Sequence, residues 1–253
     1  MSSADPVRLD RALVDRGLAR SRTQASGWLD EGRVSVDGVV VRKSSVKVGP
    51  QAEVTVAPGT EPEYVSRAGH KLAGALDAFP DVRVQGRRCL DAGASTGGFT
   101  DVLLRRGADH VVAVDVGHGQ LVESLRQDRR VHVHEGLNVR YLTPERIGGP
   151  AQLTVCDLSF ISLTLVVEPL THATEPGGDL ILMVKPQFEV GAERLGRTGV
   201  VTSEQQRLEA VETVVASARA AGLEEHGRVL SPLPGQDGNR EFFLWLRRPG
   251  SGA

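Results

Sequence analysis

The chain has 253 residues, 40% of them apolar and 25% charged, with a formal net charge of −2. That balance excludes a disordered polymer and fits a globular protein of one large domain, or one domain plus a small module. The longest uncharged stretches, 147–156 and 158–167, are ten residues each, about half of the roughly 20 that a membrane helix requires. The opening MSSADPVRLD lacks the apolar run of a signal peptide. Cys89 and Cys156 both lie in apolar runs, which reads as reduced core thiols in a cytosolic protein.

Charge is uneven along the chain. Residues 1–60 hold nine Lys/Arg against seven Asp/Glu, and the remainder 21 against 25. In the first 56 residues Leu9, Ala12, Leu13 and Leu18 recur at helical spacing. Ser21 is placed to cap a second helix carrying Ala25, Trp28 and Leu29, with Gly32 as its stop. Val34–Val36 and Val39–Val41 flank Asp37-Gly38, a hairpin signal. Val46–Val48 and Glu53–Val56 supply further strand. The basic rim comprises Arg8, Arg11, Arg16, Arg20, Arg22, Arg33, Arg42, Lys43 and Lys47. Composition leaves two readings of it open, a solvated face and an RNA-binding one.

Residues 57–62, APGTEP, read as a linker. Beyond them strand-like runs (Cys89–Ala92, His110–Asp115, Val131–His134, Leu153–Cys156, Leu180–Val184, Arg228–Leu230, Phe242–Leu246) alternate with helical ones (Arg67–Ala78, Gly98–Arg105, Gln120–Gln127, Leu163–Ala173, Ser203–Ala221). Such alternation predicts an α/β fold, a parallel doubly wound sheet with ligands outside the carboxyl ends of its strands. We divide the chain into a module at 1–56, a linker at 57–65 and an α/β domain at 66–253.

CLDAGASTGGFT, residues 89–100, runs from a buried strand through a glycine-rich turn into a helix. Its backbone N–H groups and helix terminus suit a ligand. Asp115 ends the next strand, where a ribose-binding carboxylate belongs. The spacing is G-x-x-x-G-G, not the dinucleotide G-x-G-x-x-G. Asp91 before the loop would repel a pyrophosphate and suits an amino-acid ammonium. Both points favour S-adenosylmethionine over NAD. Asp157, Lys185 and Glu241 stand at strand ends, and Lys71 on the helix before the first strand. Taken singly, each is explained by an ion pair inside the fold. His70, His118 and His134 have no metal-ligand spacing with the cysteines, and no zinc site is expected.

RLDRALVDRGLARSRTQASGWLDEGRVSVDG resembles the alpha-L RNA-binding domain of a small-subunit ribosomal protein and of RNA-modifying enzymes. Together DAGASTGGFT, VDVGHGQL, CDLSFISL, VKPQFEVG and SPLPGQDGNREFFLWL resemble the TlyA/haemolysin-A family of ribosomal-RNA ribose methyltransferases. The resemblance spans about Val7 to Arg248. It implies a class I, Rossmann-like methyltransferase fold with a seven-stranded, mostly parallel sheet whose last strand is antiparallel. It also implies the Lys71, Asp157, Lys185, Glu241 tetrad of FtsJ-type ribose 2′-O-methyltransferases.

On that basis Lys185 is the general base and Asp157 orients it, while Lys71 and Glu241 align the ribose. Desolvation and neighbouring cations favour the neutral amine, and the two carboxylates oppose them. S-adenosyl-L-methionine would contact Asp91, Gly93, Ser95, Thr96, Gly97, Phe99, Asp115, Asn138 and Phe160, although Phe160 reads equally as core. RNA would contact Arg8, Arg22 and Lys43, with Arg140 as a further candidate. The family carries tryptophan where this chain has Tyr64. The protein that the resemblance implies is a cytoplasmic monomer that methylates ribosomal RNA at a cytidine of the large subunit, and in some members also one of the small, within assembled subunits, without metal or membrane. The alternative is a non-catalytic ribosome-assembly factor on the same scaffold.

Overall fold

The computed structural model describes residues 6–19, 21–58, 64–191, 193, 195, 198–235 and 237–250. Arg20 and residues 59–63 of the expected linker lie outside the described residues. The chain divides into two compact units, Met1–Glu63 and Tyr64–Ala253.

In the smaller unit α1 (Leu9–Asp15) and α2 (Arg22–Asp30) bury Leu9, Leu13, Ala25 and Leu29 in one core. Ser21 Oγ accepts the Gln24 N–H at 3.2 Å, capping α2. Gly32, at φ +73°, ends the helix. Strands β2 (Val34–Val36) and β3 (Val39–Val40) form the hairpin, with Asp37 and Gly38 both at positive φ, the backbone of a type I′ turn. β5 (Val54–Val56) pairs on the other side of β2. A short pair that the sequence did not disclose joins β1 (Val7–Arg8) to β4 (Lys47–Val48). Leu18 falls beyond the end of α1 and is exposed.

The larger unit contains α3 (Arg67–Ala78), β6 (Arg88–Ala92), α4 (Gly98–Arg105), β7 (His110–Asp115), α5 (Glu123–Arg126) and β8 (Val131–Glu135). It continues with β9 (Ala151–Cys156), α6 (Val167–His172), β10 (Thr174–Val184), α7 (Pro186–Glu189), α8 (Glu204–Ala220), β11 (Glu224–Leu230) and β12 (Phe242–Arg247). Seven strands form one sheet in the order β11-β12-β10-β9-β6-β7-β8. All neighbouring pairs are parallel except those of β12, which runs antiparallel to β10 and β11. Successive residues face opposite sides and both sides are apolar. Val111, Leu153, Ile181 and Met183 join one core, and Val112, Cys156, Leu180 and Leu182 the other. Both cysteines are free and buried, and burial pushes the Cys89 thiol up to about 12.

The order places the site. From β6 the chain steps outward through β7 and β8, then returns to lay β9 on the other flank of β6. The reversal opens a crevice between the loops that leave the carboxyl ends of β6 and β9.

Candidate active site

Register across the sheet sets four chain segments in a row. Ala92 pairs with Cys156, so Gly93 and Asp157 leave adjacent strands side by side. Val184 pairs with Phe242. Because β12 is antiparallel, Glu241 before it stands at the same edge as Lys185 after β10. On α3, Gly74 packs so closely on Pro232 that a Cβ there would meet the ring at 2.7 Å. This holds Lys71, one turn earlier, beside the segment that carries Glu241.

The four tetrad residues form two pairs. Lys71 Nζ donates to Glu241 Oε2 at 2.6 Å, and both residues are buried. Lys185 Nζ lies 2.5 Å from Asp157 Oδ1. Its directional hydrogen bond goes instead to Ser159 Oγ, at 2.9 Å. Asp157 Oδ1 is therefore a buried acceptor with its hydrogen-bonding direction open.

A pocket at the crevice is lined by Ser66 and Ala68 from the start of α3, by residues 93–96, 98 and 99, and by Asp157, Ser159 and Lys185. Gly93, at φ +92°, lies where a Cβ would meet the Asp157 carbonyl oxygen at 2.4 Å. Gly97, at φ +102°, begins α4, and a Cβ there would meet Leu125 at 2.3 Å. Only glycine fits these two turns, so the loop presents bare backbone to the pocket.

The other expected cofactor residues, Asp91, Asp115, Asn138 and Phe160, are not among the residues that line this pocket. Asp115, at the end of β7, accepts the N–H groups of Ser95 (2.8 Å) and Gly117 (2.7 Å). Asn138 lies just past β8, caps a 3-10 turn at 139–141 and accepts the Arg140 N–H at 3.0 Å. Asp91 is fully buried beneath the loop, where its Oδ2 accepts the Thr100 hydroxyl at 2.7 Å and its Oδ1 has no hydrogen-bond partner among the described residues. Burial pushes this carboxyl up to about 7, against the Thr100 bond that lowers it. Phe160 is 91% exposed at φ +63°, which removes the reading of it as core. Its ring leans on Phe188 at 5.2 Å.

The pocket offers an S-adenosylmethionine-like ligand bare backbone at a helix start and the Asp157 carboxylate in its wall. Sequence reasoning missed Ser66, Ala68 and Ser159. Ser66 precedes a helical run, the one signal available for it. For Ser159 there was none beyond its closeness to Asp157. No group of three or more metal-binding side chains occurs among the described residues.

In the smaller unit Arg8 and Arg22 share one buried carboxylate. Arg8 Nε lies 3.0 Å from Asp10 Oδ1, and Arg22 Nη2 lies 2.7 Å from Oδ2. Asp10 is held down at about 2, chiefly by the Arg8 bond. Arg42 donates to the Asp30 carbonyl at 2.5 Å, while Lys43 and Arg140 are exposed.

Fold and site together define a class I methyltransferase domain joined to an RNA-binding module. Residues 64–248 match the FtsJ-like methyltransferase family and residues 7–54 the S4 domain. The chain is 52% identical over 241 residues to the 16S/23S rRNA (cytidine-2'-O)-methyltransferase TlyA of Mycobacterium tuberculosis, covering 95% of this chain and 90% of that protein. It is 35% identical to Hemolysin A of Brachyspira hyodysenteriae, covering 94% and 98%. A solved Streptococcus thermophilus structure described as a hemolysin superposes with a TM-score of 0.76 at 39% identity, covering 97% and 90%. An S-adenosylmethionine-dependent methyltransferase from Listeria monocytogenes shares the fold, with a TM-score of 0.52 at 15% identity over 70% of this chain and 99% of that one. The chain belongs to the FtsJ-like methyltransferase family, in its TlyA and hemolysin A group.

Proposed function

We propose that this protein methylates the ribose 2′-hydroxyl of a cytidine in ribosomal RNA, with S-adenosylmethionine as the methyl donor. The observation that carries the reading is the Lys185–Asp157 pair in the wall of the glycine pocket, with the buried Lys71–Glu241 pair brought to the same end of the sheet by the register of β12. It stands in a chain 52% identical to a 16S/23S rRNA (cytidine-2'-O)-methyltransferase. A non-catalytic assembly factor would have no physical need for two amines buried against two carboxylates beside a cofactor pocket.

When bound, the cofactor supplies an electrophilic methyl on a sulfonium. Gly93, Ser95, Thr96, Gly97 and Phe99 would hold it, with Asp115 and Asn138 for its nucleoside, and Asp91 supports the loop from beneath. Lys185 would accept the 2′-hydroxyl proton as the ribose oxygen takes the methyl group that the cofactor would supply. Asp157 stabilises the cation so formed. Lys71 and Glu241 hold the ribose by hydrogen bonds, a role that fits a pair kept at 2.6 Å in a buried position. Phe160, an exposed aromatic beside the pocket residue Ser159, offers a face to the cofactor or to an unstacked base.

Residues 1–56 serve as the RNA-gripping module, through Arg8, Arg22 and Lys43 on phosphates. Residues 57–65 link it to the catalytic domain. The protein acts as a monomer on assembled subunits, large and small, in the cytoplasm. No helix among the described residues is long and apolar enough to cross a membrane.

Each purified, unmodified ribosomal subunit is incubated with labelled S-adenosylmethionine, and the labelled ribose is mapped by reverse-transcription stops. Label on a cytidine 2′-oxygen is expected. The Lys185→Ala variant should lose transfer by about 10³-fold while binding cofactor within a few-fold of wild type. Near-normal turnover in that variant would remove Lys185 from the role.

A further inference from the structure

Lys185 stands at the head of α7 and Asp157 at the head of the loop after β9, and these two segments are stitched together well beyond the tetrad. Ser159 Oγ accepts from Lys185 Nζ at 2.9 Å. The Phe160 and Phe188 rings pack at 5.2 Å. Glu189, the last residue of α7, accepts the Ser162 hydroxyl at 2.5 Å on one oxygen and the Leu163 N–H at 2.9 Å on the other. Residues 159–163 and 185–189 thus form a ladder with Lys185 at one end and Glu189 at the other. Burial pushes the Glu189 carboxyl above its ordinary value. A carboxylate is costly to keep in such a place unless its two bonds serve the structure around it.

The tetrahedral amine gives the ladder its meaning. A neutral lysine has two N–H groups and one lone pair. Ser159 takes one of these directions, the Asp157 carboxylate lies close on another side without a directional bond, and Lys185 itself lines the pocket. Without Ser159 the amine would rotate about its last bond and its lone pair would sweep a cone.

We propose that Ser159 is a positioning residue for methyl transfer, aiming the Lys185 amine at the ribose hydroxyl, and that Glu189 acts through Ser159 by clamping the 157–163 loop. The inference rests on the methyl-transfer reading and extends it to two residues outside the tetrad.

The test uses the full chain, unmodified ribosomal subunits and labelled S-adenosylmethionine in single turnover, with cofactor affinity by calorimetry and folding by thermal melting. Ser159→Ala should slow transfer by about tenfold or more and move the midpoint of its pH profile, with cofactor affinity within about threefold of wild type. Glu189→Ala should slow transfer comparably, and Glu189→Gln, which keeps an acceptor for Leu163 and a partner for Ser162, should restore most of it. In the Ser159→Ala background, Glu189→Ala should add less than about twofold, because both act on one interaction. If Glu189→Ala does not fold, Ser162→Ala opens the same clamp from the other side and takes its place in the cycle.

A wild-type rate in Ser159→Ala, or losses that multiply in the double variant, would overturn the proposal. Wild-type transfer in the same assay separates the two claims. Its absence strikes the functional reading and this inference with it, whereas normal wild-type transfer with an unaffected Ser159→Ala strikes the inference alone.

Discussion

Val184, the last residue of β10, lies opposite Phe242, the first of β12. That single antiparallel register carries Glu241 to the end of the sheet where Lys185 emerges, although 56 positions of chain separate them. Had β12 been parallel, its leading residue would stand at the opposite edge, and the Lys71 amine would have no carboxylate to meet. The inverted strand is therefore part of the site's construction as well as of the fold.

Lys71 and Glu241 contribute differently to stability and to activity, and two variants separate these contributions. Lys71→Met leaves the Glu241 carboxylate buried without its 2.6 Å partner, which should cost about 3–5 kcal/mol. Lys71→Met with Glu241→Gln removes both charges and should recover most of that loss. Methyl transfer should stay at least about 10²-fold down in both. Chemical denaturation gives the first comparison and single-turnover assays the second. Recovery of activity in the double variant would make the pair structural.

Gly93→Ala tests the cradle. The new methyl group would sit 2.4 Å from the Asp157 carbonyl oxygen, on a backbone at φ +92°. The left-handed conformation alone costs about 1–2 kcal/mol, and displacement of the β9 loop adds to it. We expect a stability loss of about 2–4 kcal/mol and at least a tenfold loss of S-adenosylmethionine affinity by calorimetry. Unchanged cofactor affinity would place the ligand away from this turn.

Asp10→Asn gives the smaller unit a prediction opposite in sign to simple electrostatics. Removing a negative charge from an RNA-binding face should tighten phosphate contacts. Here the carboxylate holds the guanidiniums of Arg8 and Arg22 on its two oxygens, so its loss frees both side chains. Subunit affinity should fall about fivefold or more, with the unit still folded by circular dichroism. Tighter binding by Asp10→Asn would show that the two arginines need no template.

Much of this architecture was legible in the sequence where period and caps agree. Helices at Arg67–Ala78 and Gly98–Arg105 and the strand at His110–Asp115 occur with the expected bounds. Gln120–Gln127 shrinks to Glu123–Arg126, because Gly119 donates to the Glu135 carboxylate, Val122 donates to the Thr96 carbonyl, and Gln120 meets the Ser95 hydroxyl. The 163–173 run breaks at Val166 into a 3-10 turn and a short helix, and Glu189 claims the N–H of Leu163. β10 begins six residues early, at Thr174, through a polar Glu-Pro-Gly-Gly stretch with a register shift that no hydrophobic pattern marks. Asp157, Lys185 and Glu241 drew notice because they stand at strand ends, whereas Lys71, inside α3, joined them only through the family resemblance. Ser159 and Glu189 could not be read, since their meaning lies in a contact between two loops rather than in any local spacing.

Asp91 should make stability depend on pH in a direction set by its burial. Its carboxyl, raised from its ordinary value to about 7, keeps a proton in the folded chain that the unfolded chain has already released. Stability is therefore full below the ordinary carboxylate range and falls as pH rises toward and through about 7. Each unit of such a shift corresponds to about 1.4 kcal/mol. Asp91→Asn is neutral at every pH, has nearly the same shape, and keeps an acceptor for the Thr100 hydroxyl. In thermal melts without cofactor, wild type should lose several degrees relative to this variant between about pH 5 and about pH 8, at about 2–4 °C per kcal/mol. A difference constant across that range would mean that Asp91 ionises as an ordinary carboxylate. Its unpartnered oxygen beneath the glycine loop would then be met by a charge-stabilising group.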